Sequence, residues 1–448
     1  MTDYRAIADR LADDIRSGRL AVGERLPPQR EFAYRNEIAV STASRVYAEL
    51  GRRGLVSGEV GRGTFVSGPE PSLAGVPLYE TRHDRIDLEL NYSVLPEVPG
   101  LVAPAMESLL DPRALEAALQ PSAISGSGEI RQDAARIMAI GGWTPDPEGL
   151  AISGNGRQAI AAALSAVAPA GERIGIERMT YPVAKVKMAR LGLRAVPLAM
   201  DAHGIVPEAV EEAHRSAPLR AIYLQPTLHN PLGVTMPAGR RAELAAVLEK
   251  HDIVAIEDAV YAFLHDAAPA PLAAHAPDRT LYVDSLSKRV APGLTLGFLH
   301  APAGPLREAV STAVRAGGWR PQTYGLMAAG RLMREDIVDR LAVLRRRDAA
   351  ARQVLARDRL AGFEVHGDPR AYHLWLELPE GWRADTFVAA ASRRGVAVMP
   401  AAAFAAGQGH APNAVRLALA SPPMETLAAG LDIVAAVARS APDDNIVQ

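Results

Sequence analysis

Short apolar runs alternate with Ala- and Leu-rich stretches of helical periodicity from about residue 86 onward. The runs include "ERIGIE", "RAVPLAM", "RAIYLQP", "DIVAIED" and "TLYVDS", and most of them are almost continuously hydrophobic. Strands that are buried on both faces have this appearance, whereas strands with one wet face alternate. The pattern therefore predicts a doubly wound α/β domain with a mostly parallel sheet, whose chemistry lies at the C-terminal ends of the strands.

A different pattern occupies residues 1–68. In "VSTASRVYAELGRRGLV" the apolar positions recur at i, i+3, i+4 and i+7, which predicts a helix with one buried stripe. The stripe consists of Ala43, Val46, Tyr47 and Leu50. The opposite face carries Ser41, Ser44, Arg45 and Arg52. Small polar groups and Arg at the exposed N-terminal end of a helix suit the reading of a DNA major groove.

One segment before this helix and one after it predict further structure of the same domain, and a linker follows them. "LPPQREFAYRN" predicts a short helix with Arg30 on its polar side, and "GLVSGEVGRGTFVSG" predicts two short strands around the turn Gly61-Arg62-Gly63-Thr64. An Arg at such a turn can enter a minor groove, and Gly lets the backbone approach phosphate closely. Residues 69–85 are Pro-rich, polar and aperiodic, which predicts a linker between domains 1–68 and 86–448.

Composition narrows the class of protein without selecting one. The chain has 448 residues, 48% of them hydrophobic, and a net charge of −2, as expected for a soluble globular protein of two or three domains. The absence of Cys excludes disulfides and thiolate metal sites, and no apolar run reaches the length of a membrane span, so we expect a cytoplasmic protein without a metal site. Residues 1–68 contain eleven Arg against nine acidic residues, so charge leaves a DNA-binding module and a small helical protein-interaction module equally open.

Lysine is rare in this chain, because only four of the 49 Lys and Arg residues are lysines. One of them, Lys288, lies in "SLSK", a hydroxyl-rich turn that contains Ser285 and Ser287 between two apolar runs. A desolvated Lys loses its proton and forms a Schiff base with an aldehyde, which Arg cannot do. A surface Lys in a loop is the alternative interpretation, and this stretch alone does not decide between them.

Three other motifs accompany strand-like runs. "AISGNGRQ" puts Gly154–Arg157 before a helix, where free N–H groups can hold a phosphate. "LQPTLHNPLG" offers the amide of Asn230 to a phenolate oxygen, and "IVAIEDAVYAF" offers the carboxylate of Asp258, with Tyr261 three residues on, to a protonated pyridine nitrogen. Each motif has an ordinary alternative: a simple helix start, a Pro-flanked turn or a helix N-cap. Together with Lys288 they supply, in chain order, the groups that pyridoxal 5′-phosphate requires, so we expect this cofactor as an internal aldimine on Lys288.

Residues 1–68 resemble the winged helix-turn-helix of GntR-type regulators. The resemblance rests on "G-x-L-x-x-G-x-x-LPPQREFA", "VYAEL-x-x-x-GLV" and "GRGTFV". It implies binding to double-stranded DNA through the second helix of the motif and through Arg30, Arg62, Gly63 and Thr64. The Ser-Arg pair with which the family usually opens the recognition helix falls at Ala39-Val40 here. We therefore expect base readout by Ser41, Thr42, Ser44 and Arg45.

Residues 86–440 resemble fold-type I aminotransferases in the order and spacing of the motifs. The resemblance implies a large sheet with a smaller C-terminal α/β subdomain, and it makes Lys288 the Schiff-base lysine and Asp258 the partner of the pyridine nitrogen. It also implies that Asn230 and Tyr261 bind the phenolic oxygen and that Tyr181 stacks on the ring. The phosphate is then bound by Ser285 and by the Gly154–Arg157 loop with Gly156 and Arg157. Arg416 binds the carboxylate of the ligand. For Arg416 the alternative is a surface Arg at a strand edge.

A GntR-type module before an aminotransferase-like domain resembles the MocR subfamily of transcriptional regulators over nearly the whole chain. This implies a homodimer, with pockets near the subunit interface and each DNA-binding module docking on the other subunit's aminotransferase-like domain. We expect a regulator that senses a small amino compound or pyridoxal phosphate itself. A working aminotransferase with a DNA-binding appendage and a scaffold that has lost the cofactor are the alternatives, and the intact Lys288, Asp258, Asn230 and Tyr261 set disfavours the scaffold.

One position departs from the pattern of the aminotransferase-like relatives. They usually carry an Arg that clamps the cofactor phosphate seven residues after the lysine, where this chain has Thr295. Thr donates one hydrogen bond and brings no charge, so the dianionic phosphate loses a partner. We expect Arg157 to supply the missing charge, with Arg289 as the second candidate.

Overall fold

The computed structural model describes residues 4–16, 19–20, 24–52, 55–59, 63–66, 85–93, 95–121, 126–407 and 411–441. The chain divides into two compact units, Met1–Val76 and Pro77–Gln448, which we call the head and the body. The division falls inside the predicted linker 69–85, most of which lies outside the described residues, as does Arg62. Among the helices of the described ranges, none has the combined length and apolar character that crossing a bilayer requires.

The head is a three-helix unit with a small antiparallel sheet. Its elements are α1 (Tyr4–Arg16), α2 (Gln29–Arg35), α3 (Val40–Arg52), β1 (Val56–Glu59) and β2 (Gly63–Val66). A bridge between Arg25 and Phe65 adds a third extended segment to β2. The predicted stripe of α3 is buried against Phe32 of α2, whose ring lies 5.3 Å from that of Tyr47. This arrangement confirms the winged helix-turn-helix.

The body contains the remaining strands. In chain order they are β3 (Ile86–Leu88), β4 (Leu150–Ser153), β5 (Arg173–Glu177), β6 (Arg194–Leu198), β7 (Met200–Asp201), β8 (Gly204–Ile205), β9 (Ala221–Leu224), β10 (Val254–Asp258), β11 (Thr280–Ser285), β12 (Gly297–His300), β13 (Val365–His366), β14 (His373–Glu377), β15 (Val396–Pro400) and β16 (Ala414–Ala418).

The helices of the body cover these strands. They are α4 (Val98–Glu107), α5 (Pro112–Ala118), α6 (Gly128–Met138), α7 (Gly156–Val167), α8 (Pro182–Arg190), α9 (Pro207–Ser216), α10 (Ala238–His251), α11 (Leu272–His275), α12 (Leu286–Arg289), α13 (Pro305–Ala316), α14 (Thr323–Arg334), α15 (Ile337–Arg359), α16 (Ala384–Arg393) and α17 (Met424–Arg439). Short 3-10 helices occupy Ser108–Leu110, Pro147–Gly149, Ala262–Leu264 and Ala401–Ala403.

The large sheet has seven strands in the order β4-β12-β11-β10-β9-β5-β6. All neighbours are parallel except β12, which runs antiparallel to both β11 and β4. Helix α7 packs on it through Ala159, Ile160 and Leu164, which are almost completely buried. The doubly wound, mostly parallel α/β sheet predicted from the apolar runs is confirmed.

The small sheet has five strands in the order β13-β14-β16-β15-β3. Four of them come from the C-terminal part of the chain, as expected. The fifth is β3, in which Ile86 pairs with Val396 in a parallel register. The subdomain is therefore not formed by C-terminal residues alone, because the first strand of the body completes it.

Candidate functional site

A cavity of about 520 Å³ lies where β9, β10 and β11 end at the same edge of the large sheet. This volume suits a small-molecule cofactor. Its wall is formed by Tyr92, Asn155, Gly156, Arg157, Ile160, Tyr181, Gln225, Asn230, Asp258, Val260, Tyr261, Ser287, Lys288, Pro292, Gly293 and Thr295. Seven of the predicted cofactor residues lie in this wall, while Ser285 and Arg416 lie behind it.

One end of the cavity is built around the first turn of α7. Asn155 caps this helix, since its Oδ1 accepts a hydrogen bond from the N–H of Gln158 at 3.0 Å. A Cβ atom at Gly156 would lie 2.9 Å from the Cβ of Ser285, so only glycine allows the turn to sit this close to β11. Free N–H groups at a helix N-terminus attract an anion.

Three hydroxyl groups lie next to this turn, two of them in the cavity wall and one behind it. Ser285 is fully buried, and its Oγ accepts from the N–H of Ser287 at 3.1 Å and donates to the carbonyl oxygen of Leu296 at 2.7 Å. Its Oγ also lies 3.1 Å from Oγ1 of Thr295. Ser287 and Thr295 line the cavity, so Ser285 supports the wall that these two residues present.

The two candidate cations at this end have different surroundings. Arg157 lines the cavity, and its Nε donates to the hydroxyl group of Tyr181 at 3.3 Å. Arg289 is buried in an ion pair, with its Nη2 2.6 Å from Oδ2 of Asp284, and its guanidinium lies 4.9 Å from the ring centroid of Phe263. Of the two, Arg157 is the one that faces the cavity.

Lys288 lies in the last turn of the short helix α12, which follows β11 directly. Its Nζ donates to the carbonyl oxygen of Asn91 at 2.6 Å and lies 3.6 Å from the ring centroid of Tyr92. Burial, and after it the positive charges of Arg416 and Arg157, holds the pKa of the Lys288 amine well below its usual value. The neutral, nucleophilic form of the amine is therefore favoured.

Asp258, at the end of β10, is 2% exposed, and one of its carboxylate oxygens accepts two side-chain hydrogen bonds. Its Oδ2 accepts from the hydroxyl group of Tyr223 at 2.5 Å and from Nε2 of Gln225 at 3.0 Å. Its Oδ1 accepts from the N–H of Val260 at 3.3 Å. Burial raises the pKa of Asp258 to about 6, while the hydrogen bonds from Tyr223 and Gln225 act in the opposite direction.

Asn230 and Tyr261 lie on the same side of the cavity. Oε1 of Gln225 accepts from the N–H of Asn230 at 3.3 Å, so one glutamine side chain contacts both Asp258 and Asn230. The hydroxyl oxygen of Tyr261 accepts from Nδ2 of Asn91 at 3.1 Å. Burial raises the pKa of Tyr261, which keeps it a neutral phenol.

Arg416 lies in β16 of the small sheet and is 3% exposed. Its Nη1 donates to Oδ1 of Asn230 at 3.3 Å, its Nη2 donates to the carbonyl oxygen of Glu89, and its guanidinium lies 5.1 Å from the ring centroid of Phe404. Its buried Nε has no hydrogen-bond partner among the described residues. The side chain therefore keeps one unsatisfied donor directly behind the wall residue Asn230.

Sequence reasoning missed several residues that complete the site. Tyr223 and Gln225 carry a weak signal, because a phenol and an amide in the otherwise apolar run "RAIYLQP" need partners when buried. Asn91 and Tyr92 lie between β3 and α4 in an irregular segment, and no spacing in the sequence connects them to Lys288 about two hundred residues later.

The residues that are predicted to contact DNA differ in their exposure. Arg30, Ser41, Ser44 and Arg45 are exposed, and Thr42 is half-buried. Gly63 and Thr64 lie in β2 itself, and Gly63 has a φ of +122° and lies against the guanidinium of Arg25. The structure therefore presents the N-terminal end of α3 to solvent, while Gly63 and Thr64 of the wing strand are half-buried.

A group of possible metal ligands lies away from the cavity. Glu364, His366 and Glu377 are exposed on the small sheet, and Nε2 of His366 lies 3.1 Å from Oε1 of Glu377. The expectation of a protein without a metal site stays a prediction.

Comparisons with known proteins agree with both units. Residues 3–66 match the family model "Bacterial regulatory proteins, gntR family", and residues 104–434 match "Aminotransferase class I and II". The chain is similar to the HTH-type transcriptional regulator YdeF of Bacillus subtilis, with 30% identity over 96% of this chain and 93% of that protein. It is also similar to the HTH-type pyridoxine biosynthesis transcriptional regulator PdxR of Corynebacterium glutamicum, with 27% identity over 67% of each chain.

Solved structures give the same fold for the body. The α-aminoadipate aminotransferase LysN of Thermus thermophilus, complexed with N-(5′-phosphopyridoxyl)-L-leucine, superposes with a TM-score of 0.71 at 24% identity, covering 80% of this chain and 92% of LysN. The kynurenine aminotransferase of Pyrococcus horikoshii superposes with a TM-score of 0.72 at 20% identity, covering 82% and 93%.

The chain thus joins a GntR-type winged helix-turn-helix to an aminotransferase domain of class I and II, a family whose cofactor is pyridoxal 5′-phosphate. It belongs to the MocR subfamily of GntR-type transcriptional regulators. The donor set of the cavity fits this cofactor, because it contains an amine, a buried carboxylate, an amide and a phenol, and a helix N-terminus next to a guanidinium.

The raised pKa of Asp258 predicts a pH-dependent stability of the cofactor-free protein. The pKa is about 6 in the folded body against 3.8 in an unfolded chain, so ionisation opposes folding by about 3 kcal/mol once the pH has risen through this window. We expect the melting temperature of Asp258→Asn, relative to that of the unchanged protein, to rise between about pH 4.5 and pH 7.

The measurement is thermal unfolding of cofactor-free protein across that range. Asp278→Asn, at an exposed position in the same domain, is the matched control and is expected to show a flat difference. A flat difference for Asp258→Asn as well would contradict the raised pKa.

Proposed function

We propose that this regulator binds double-stranded DNA through its head and that an amino compound, or pyridoxal phosphate itself, controls this binding from the cavity of the body. The observation that carries the proposal is the presence, in one chain, of an exposed recognition-type helix and a cavity whose donor set fits pyridoxal phosphate. The regulators that it resembles span both units, which supports a joint function.

Five residues are proposed to hold the reactive part of the cofactor. Bound pyridoxal phosphate supplies an aldehyde to the Lys288 amine and an electron-withdrawing ring. Tyr223 and Gln225 are proposed to orient Asp258 through Oδ2, so that Oδ1, which accepts the N–H of Val260, also accepts from the ring nitrogen. Asn230 and Tyr261 bind the phenolic oxygen, and Tyr181 covers the ring.

The phosphate is proposed to lie at the first turn of α7. Gly156 and Arg157 contribute backbone N–H groups and a positive charge, while Ser287 and Thr295 contribute hydroxyl groups from the opposite side of this end. Ser285 acts through these two hydroxyl groups, because its own Oγ faces them and Leu296.

Arg416 is proposed to bind an acidic group of the effector. Its unsatisfied Nε and its contact with Asn230 support this role, because a buried guanidinium with a free donor favours an anion. An effector that carries both an amine and a carboxylate can then contact Lys288 and Arg416 together. Such a ligand shifts the conformational equilibrium of the regulator only by its different affinities for the two states.

A homodimer is part of the proposal. Helix α5 packs against α14 and the 3-10 helix Ser108–Leu110, and just after α5 the carbonyl oxygen of Gln120 accepts a hydrogen bond from Thr323 Oγ1 of α14 at 2.6 Å. These elements and their ends carry four exposed large apolar side chains, Leu110, Leu115, Leu119 and Tyr324, of which Leu119 is 84% exposed. Exposed apolar patches of this kind mark protein interfaces.

A working aminotransferase is the second candidate function. The complete set of Lys288, Asp258, Asn230 and Tyr261 in one cavity supports it, because an aminotransferase and a regulator that binds the cofactor through Lys288 use the same groups. Release of a keto acid from added amino acids by the purified protein separates this candidate from a regulator that only exchanges its Lys288 bond.

The first expected result concerns Lys288. The purified protein is expected to absorb in the near-visible range from the bond between the cofactor and Nζ, and Lys288→Ala is expected to lose this band. Lys250→Ala is the control, because Lys250 forms a surface ion pair with Glu211. Absorption spectra of the proteins, taken after unbound pyridoxal phosphate has been removed by gel filtration, provide the measurement, and an unchanged band in Lys288→Ala would contradict the assignment.

The second expected result concerns the phosphate charge. Arg157→Gln is expected to lower the affinity for pyridoxal phosphate by about one to two powers of ten, because a charged hydrogen bond contributes about 1.5–3 kcal/mol. Equilibrium dialysis gives the dissociation constant. Arg190→Gln, which removes an exposed charge from α8, serves as the control. If Arg157→Gln binds as tightly as the unchanged protein, the charge comes from elsewhere.

The third expected result concerns DNA. The full-length protein is expected to bind DNA from its own promoter region more tightly than shuffled DNA, and an effector amine is expected to change that preference. Arg30→Ala is expected to weaken both complexes and to reduce the salt dependence by about one phosphate contact. Fluorescence anisotropy at several salt concentrations tests this, and equal affinity for both DNAs at every salt concentration would refute the regulator.

A further inference from the structure

The helix that carries the proposed DNA-binding face begins with an apolar residue. Val40 is the first residue of α3 and is 49% exposed, while Ala43, Val46 and Leu50 of the stripe are fully buried. Tyr34 and Val40 are the large apolar side chains of the head that stand exposed in the described part of the chain. Val40 therefore exposes apolar surface that the core of the head does not cover.

The position of Val40 on the helix places it next to the polar face. With 3.6 residues per turn, Val40 lies about 40° around the helix axis from Ser44 and about 60° from Ala43. Side chains of a helix tilt toward its N-terminus, so Val40 projects from the end of α3. In a helix-turn-helix this is the end of the recognition helix that contacts base edges.

The apolar side chain of Val40 limits the groups of DNA with which it can make a favourable contact. Its side chain has no donor and no acceptor, so it gives nothing to a phosphate or to a polar base edge. The major groove contains one apolar group, the C5-methyl group of thymine. The exposed neighbours Ser41, Ser44 and Arg45 carry polar groups of the kind that bind phosphates and polar base edges.

We propose that Val40 is a specificity-determining residue that contacts a thymine methyl group in the major groove. The proposal deepens the DNA-binding part of the proposed function and rests on it. An exposed valine at this position can also be an ordinary end of the stripe or a contact with a protein partner. Neither of these two roles involves a base, so both predict that the affinity for DNA does not depend on a thymine methyl group next to Val40.

The test begins with the full-length protein and a library of random-sequence duplexes. Enriched duplexes are expected to contain an invariant thymine in each half-site. Replacing that thymine by uracil removes only the methyl group and keeps the base pair. We expect this replacement to weaken binding by the unchanged protein about three- to fivefold, as the loss of one buried methyl contact does.

Val40→Ala is expected to bind the thymine and uracil duplexes with nearly equal affinity. The substitution is at an exposed position and shortens the side chain, and its melting temperature checks that the head still folds. Val354→Ala, at a 71% exposed position on α15 of the body, is the matched control and is expected to keep the full thymine preference.

The outcomes distinguish failure of the inference from failure of the proposed function. If the unchanged protein enriches no sequence, DNA binding by the head is overturned and the inference with it. Enrichment without any thymine whose methyl group matters would overturn the inference and leave the proposed function intact. A uracil effect of the same size in Val40→Ala would also overturn it, since another residue would then contact the methyl group.

Discussion

The buried carboxylate of Asp258 constrains the rest of the cavity. A charge at a 2% exposed position must be compensated by nearby donors, and here Tyr223 and Gln225 provide them. Gln225 also accepts a hydrogen bond from the backbone of Asn230, and Asn230 in turn accepts one from Arg416. One chain of contacts thus runs from the end of β10 to the small sheet.

A second buried charge, that of Arg241, lies next to the loop that leads to Asn230. Arg241 is fully buried in α10 and donates to the carbonyl oxygens of Pro226 and Met236 and to Oγ1 of Thr227. Its Nη1 also lies 3.5 Å from Glu257, the neighbour of Asp258. A buried ion pair adds little net stability, so the contribution of Arg241 here is its hydrogen bonds to Pro226 and Thr227, which hold the loop that carries Asn230.

The sequence predicted those parts of the molecule that depend on local pattern. Continuous apolar runs became β5, β9, β10 and β11, and because parallel strands end at one edge, Asp258 and Lys288 were expected near one another. Contacts between distant segments were not predictable in this way. The position of Ser285 behind Ser287, the ion pair that occupies Arg289 and the approach of Asn91 to Lys288 all depend on packing that no spacing in the chain encodes.

The pairing of β3 with β15 limits where this protein can be dissected. A fragment that begins at residue 104, where the match to the aminotransferase family begins, lacks β3 and also the carbonyl group of Asn91 that accepts from Lys288. Its small sheet would end at the bare strand Val396–Pro400, and an unpaired strand edge invites aggregation. Independent production of the body therefore requires a start before Ile86, inside the segment that the sequence marks as a linker.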